Sequence, residues 1–186
     1  MKNSPITIGF DDAKFELKTR QITTTLIGVV CQGTRMVSVV KKEIEIDGDD
    51  ATAAIIDLTR QNIKHVQYIL TDAITFGGFN IIDLEEIHSQ TKKPIISITE
   101  REVDLEAVNK ALRKKFIDSY KKKLQLIIKA GNLYETNVET AGGSSRIYFH
   151  SKGIDYDTAC SLIKKISIDS KLPEPLRLAH IIGRMF

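Results

Sequence analysis

Three strand-like runs follow one another at the start of this chain before any helical pattern begins, and that order dictates an antiparallel opening to its sheet. Ile6, Ile8 and Phe10 alternate with Thr7 and Gly9, the two-residue period of a strand. The run from Ile22 to Val30 is rich in threonine, isoleucine and valine, and Gln32-Gly33-Thr34 turns it into a third run from Met36 to Ile46. Together they predict a three-stranded antiparallel meander. The pattern then changes. Asp50 opens an alanine-rich helix, Val66 to Leu70 reads as a buried strand, Phe79 to Gln90 as a helix, and Pro94 to Ile98 as another buried strand. Strand, helix, strand in this order implies parallel crossovers, so the expected class is α/β with a mixed sheet and flanking helices.

The remaining chain predicts a helix capped by Asp104 and carrying Leu105, Val108, Leu112 and Phe116 on one face. Leu124 to Lys129 and Arg146 to His150 read as strands around a Gly142-Gly143-Ser144-Ser145 turn. A helix from Asp155 to Lys165 and a last one begun by Pro173-Glu174-Pro175 close the chain. A length of 186 residues suits one compact domain spanning 1–186. The net charge of +3 permits a nucleic-acid partner without arguing for one. Cys31 and Cys160 have no second thiol at metal-ligand spacing and read as buried free thiols. No apolar stretch has the length of a signal peptide or a membrane span, and a cytoplasmic protein is expected.

Asp11, Asp50 and Asp72 each follow an apolar run, where a strand or turn should end. In an open α/β sheet reactive groups gather outside the carboxyl ends of the strands, so these acids are candidates to meet. Three converging carboxylates suit Mg²⁺ or Mn²⁺, hard ions that take oxygen ligands and serve phosphodiester hydrolysis. Taken singly, each is equally a turn or capping residue, as Asp50 is placed to be. Asp12 and Asp49 are neighbours that an extended chain should point to the opposite face. His180 is a candidate water-orienting group or proton donor, against the plainer reading of a satisfied histidine on a terminal helix.

Thr75-Phe76-Gly77-Gly78-Phe79-Asn80 leads toward the second predicted helix, where free N–H groups can receive a phosphate; a plain strand-to-helix turn explains its glycines equally well. Lys41-Lys42, Lys92-Lys93, Arg113-Lys114-Lys115 and Lys121-Lys122-Lys123 are either phosphate contacts or solvated faces, and the interspersed acids favour the latter. Asp83 is a fourth acid or an exposed helical residue.

The order Gly9-Phe10-Asp11, Asp50, Asp72 and then Pro173-Glu174-Pro175-Leu176-Arg177-Leu178-Ala179-His180 resembles endonuclease V. With Gly9-Phe10-Asp11-Asp12-Ala13, Asp47-Gly48-Asp49-Asp50-Ala51-Thr52 and Gly77-Gly78-Phe79-Asn80, the whole chain more closely resembles a mainly archaeal, endonuclease V-like family known as a domain of unknown function. That resemblance implies a ribonuclease H-like fold and Mg²⁺. It makes Asp11, Asp50 and Asp72 metal ligands and adds His180 as a catalytic group; Gly77, Gly78, Asn80, Arg101 and Arg177 are the candidate nucleic-acid contacts. The chain departs from endonuclease V in three places. It has no proline or tyrosine wedge between Val37 and Ala53. Ala73 follows Asp72 in place of glycine, and Glu100 and Arg101 stand where the nuclease has lysine. The expected function is a metal-dependent nuclease acting on DNA or RNA. A non-catalytic nucleic-acid- or protein-binding module of the same fold is the alternative, and a hydrolase of a small phosphorylated substrate a third reading.

Overall fold

The computed structural model describes residues 3–15 and 21–186. Its centre is a seven-stranded mixed sheet in the order β3-β2-β1-β4-β7-β9-β8. β1 (Ile6–Asp12), β2 (Thr23–Gln32) and β3 (Arg35–Glu45) form the expected antiparallel meander. β4 (Tyr68–Asp72) lies parallel to β1, and β7 (Ile95–Thr99) parallel to β4, as the helical crossovers require. β9 (Gly143–Lys152) runs antiparallel to β7, with β8 (Tyr134–Thr140) at the edge. A separate two-stranded hairpin joins β5 (Thr75–Phe76) to β6 (Asn80–Ile81).

The alternation of side chains along β1 and β4 divides the core. Ile8, Phe10 and Ile69 face one way, against α1 (Ala51–Gln61) and α2 (Leu84–Thr91). Leu70, Ile96 and Ile98 face the other way, against α5 (Tyr156–Ile166) and Leu176 of α6 (Glu174–Gly183). α3 (Leu105–Lys115) and α4 (Tyr120–Lys129) cover the β5–β6 hairpin through Leu112, Ile127 and Ile81. Asp104 caps α3 as expected, accepting from the Glu106 and Ala107 N–H groups. Both cysteines are free and buried. Among the described residues no helix is long and apolar enough to cross a membrane.

Two expected elements differ. Leu124 to Lys129 is the second half of helix α4, because Leu124 and Ile127, three residues apart, share a face toward the hairpin. The expected helix from Phe79 begins only at Leu84, where the Asp83 side chain accepts the Glu86 N–H. Residues 79–81 belong instead to the hairpin, and Asp83 is thus a cap that also pairs with Lys129 at 2.5 Å.

Candidate metal centre

Register brings the first two acids together. Gly9 stands beside Leu70 and Phe10 beside Thr71 on the parallel strands, so Asp11 and Asp72, one residue further along each, emerge side by side on the same face. α6 covers that face at unusually close range. A Cβ on Gly9 would lie 2.7 Å from the Pro175 carbonyl carbon, and one on Gly183 3.0 Å from the Asp12 carbonyl oxygen. Glycine at both contacts lets the helix lie directly on the end of β1, and His180 is thereby delivered to Asp11.

His180 Nδ1 lies 2.9 Å from Asp11 Oδ2, and the Arg184 Nε–H donates to His180 Nε2 at 3.2 Å. Since Nε2 accepts, Nδ1 carries the proton it donates to Asp11. Asp11 Oδ1 accepts the Asp12 N–H, and Asp12 Oδ2 accepts the Gly77 N–H at 2.6 Å. Asp11 is only 5% exposed. Burial, with added repulsion from Asp72 and Asp12, pushes its carboxyl up to about 8. Burial, then the Glu100 and Asp12 charges, pushes Asp72 up to about 6, and burial also raises Asp12. Glu100 in turn pairs with Lys171 at 2.9 Å.

Asp11, Asp72 and His180 offer ligand atoms that all lie within 4.8 Å of one another. Two carboxylates forced together in a desolvated cleft, each made hard to ionise, form a site whose repulsion a divalent cation relieves. The oxygen donors fit Mg²⁺ or Mn²⁺. The chemistry of the donor set therefore fits the expected metal. The cleft above it is lined also by Asp12, Lys14, Phe15 and Arg184.

Asp50 stands outside this group. Its carboxylate receives the Asn80 Nδ2–H at 2.6 Å and the Glu45 N–H at 3.1 Å, which fixes the loop between β3 and α1. Asn80 is fully buried, and its side chain also bonds the Glu45 carbonyl and the Ala51 N–H. The Gly77 N–H is occupied by Asp12, and Gly78 (φ +86°) packs so tightly that a Cβ would lie 2.5 Å from Asp47 Oδ1. Arg177 forms a two-pronged pair with Glu174 at 2.9 and 2.6 Å, while Arg101 is exposed. Of the basic runs, Lys123 is the surprise. It is 2% exposed, and its ammonium is held by the carbonyls of Asp47, Gly48 and Phe79 and by Asp49 Oδ1.

Asp12 was expected to point away, yet it lines the cleft with Asp11 at the end of β1. Lys14 and Arg184 carry no local sequence signal. Arg184 falls one helical turn after His180, the one spacing that hints at a shared face.

A second cavity, of about 930 Å³, opens on the other side of the β4 end. Ala73, the residue after Asp72, is on its wall with Ile74 and Phe79; Leu105 and Ile127 close it, and Ser97 and His150 lie at its base.

The family model described as endonuclease dU matches residues 6–186. A UPF0215 protein of Thermococcus sibiricus is 38% identical over 180 residues, covering 95% of this chain and 89% of its own length. A crystal structure of a protein of unknown function from Archaeoglobus fulgidus superposes with a TM-score of 0.83 at 27% identity, over 96% of each chain. Ciona intestinalis endonuclease V, solved with a DNA containing an inosine followed by a ribo-adenosine, gives 0.59 at 13% identity, over 95% of this chain and 83% of that one. The mixed sheet is thus the ribonuclease H-like nuclease fold, and the chain is similar to endonuclease V in architecture.

Proposed function

The chain belongs to the endonuclease dU family, and from that premise we propose that it is a divalent-metal-dependent phosphodiesterase that cuts nucleic acid. The observation that carries this reading is the convergence of Asp11, Asp72 and His180 in one desolvated cleft at the carboxyl ends of β1 and β4. In it, Asp11 and Asp72 hold a Mg²⁺ or Mn²⁺ ion, which supplies Lewis-acid neutralisation of the charge that develops on a phosphodiester.

The protein's own groups do the rest. His180, held by Arg184, orients Asp11 through its Nδ1–H and is within reach to pass a proton at the cleft. Lys14 and Arg184 line the same cleft and offer positive charge to a phosphate. Lys171 offsets the Glu100 carboxylate near Asp72, so that acid does not bar an anion. Asp50 and Asn80 fix the neighbouring loop.

The family's name points to deoxyuridine and the Ciona neighbour's complex to inosine, both in DNA. The cavity beside Ala73 supports a base as its occupant: a nucleotide whose phosphate reaches Asp72 can set its base across the β4 end.

The test is cleavage of DNA strands carrying one deoxyuridine or one inosine, with Mn²⁺ and with chelator. Metal-dependent cutting next to the modified base, abolished by Asp72→Asn, is the expected result. Tight, metal-dependent binding with no cutting of any strand would replace the nuclease with a binding module of the same fold.

A further inference from the structure

The base of the second cavity is chemically specific. Ser97 on β7 and His150 on β9 are direct cross-strand partners, so their side chains stand together on one face of the sheet, in a cavity whose walls include Leu105 of α3 and Ile127 of α4. His150 is nine-tenths buried, and its Nδ1 lies 3.1 Å from the Asn132 carbonyl. A carbonyl only accepts, so Nδ1 carries the proton and Nε2 keeps its lone pair. Burial lowers the affinity of this imidazole for a second proton. Ser97 is 1% exposed, and its Oγ has no hydrogen-bond partner among the described residues. A buried hydroxyl left unpaired costs free energy until something bonds it.

The cavity around this pair is mainly apolar, with Ile74, Phe79, Leu105 and Ile127 on its walls and Glu106 and Asn109 also in its lining. Such a space takes an uncharged, flat heterocycle and reads only the polar edge that reaches the bottom. Uracil and hypoxanthine, like thymine and guanine, carry a hydrogen on the ring nitrogen beside their carbonyl. Cytosine and adenine have a lone pair at the same position.

We propose that His150 and Ser97 are the pair by which this protein tells a deaminated base from its amino-bearing parent, with His150 Nε2 accepting the ring N–H of the deaminated base and the Ser97 hydroxyl donating to its adjacent carbonyl. Cytosine or adenine in the same place would set a lone pair against the lone pair of Nε2 and an amino group where a carbonyl is wanted. Leaving buried polar groups unpaired is what makes such pockets reject the wrong partner strongly. The Asn132 carbonyl is then part of the reading, because it fixes which nitrogen carries the proton. This inference rests on the proposed action on nucleic acid and assigns the residues that choose the base.

The experiment compares binding of labelled single-stranded DNA containing one deoxyuridine or one deoxycytidine at the same position, by fluorescence anisotropy with Ca²⁺ or Mn²⁺. The proteins are wild type, His150→Phe and Ser97→Ala. Wild type should prefer deoxyuridine, and each variant should lose roughly tenfold or more of that preference. Mn²⁺ affinity should be unchanged in both variants. Ser97→Ala should also melt no lower than wild type, since it removes an unpaired hydroxyl; a merely structural serine would instead cost stability and leave the preference intact. A wild-type preference that survives both substitutions overturns the assignment and leaves the nuclease reading standing. Wild type that binds Mn²⁺ but no DNA overturns both.

Discussion

Gly9 on β1 and Pro175 at the start of α6 meet so closely that a single added methyl on Gly9 would fall 2.7 Å from the Pro175 carbonyl carbon. His180 reaches Asp11 only because the helix lies this flat. Gly9→Ala should therefore lift α6, costing about 1–3 kcal/mol of stability by overpacking. Chemical denaturation measures the cost, and Mn²⁺ affinity should fall in parallel. An unchanged metal affinity would detach His180 from the site.

Ala73 sits in the left-handed region with φ +61°, where a side chain is strained. Ala73→Gly should stabilise the fold by roughly 0.5 kcal/mol, the relief of strain being partly offset by the greater freedom of glycine in the unfolded chain. Thermal melting at fixed pH checks it. A lower melting point would mean that the methyl group packs usefully against the cavity it lines.

The pH dependence of the metal-free protein follows from Asp11 and Asp72. Their folded pKa values, about 8 and about 6, lie above the ordinary 3.8, so the folded state binds more protons than the unfolded one between those limits. The stability they contribute is fully present below about pH 4 and is lost as pH rises through 6 for Asp72 and 8 for Asp11. Asp11→Asn should flatten the upper part of that decline. Metal affinity should run the opposite way, rising with pH as protons cease to compete. Denaturation and calorimetry from pH 5 to 9 in chelator and in Mn²⁺ would show both slopes.

Lys123 and Lys122 are adjacent in sequence and opposite in role. Lys123→Met would orphan three carbonyls and Asp49 under helix α4 and should cost about 3 kcal/mol. Lys122→Met removes only an exposed pair with Asp49 and should cost less than about 0.5 kcal/mol. Equal effects would deny the buried ammonium its part in holding the loop between β3 and α1 to the β5–β6 hairpin.

The periodicities that local chemistry sets were legible in the sequence. The three-stranded start, the β4 and β7 crossovers and the Asp104 cap all follow from alternation and capping within a few residues. Leu124 to Lys129 misled because Leu-Gln-Leu alternates like a strand, and only the packing of Leu124 and Ile127 on the hairpin decides for a helix. The hairpin itself is too short to leave a period, and Asp83 rather than Phe79 marks where helix α2 begins. Of the candidate site, Asp11 and Asp72 were legible as acids following apolar runs, and His180 joined them only through the resemblance to endonuclease V. The capture of Asp50 by Asn80, the turn of Asp12 toward Gly77 and the burial of Lys123 depend on contacts between distant segments, which leave no local trace.

The central claim is that Asp11 and Asp72 hold a divalent ion, and calorimetric titration of Mn²⁺ tests it most directly. Wild type, Asp50→Asn and the Asp11→Asn, Asp72→Asn double variant would be compared at pH 8. Binding in wild type and in Asp50→Asn that vanishes in the double variant is the predicted result. Equal binding in wild type and the double variant, or no binding by wild type, would contradict it.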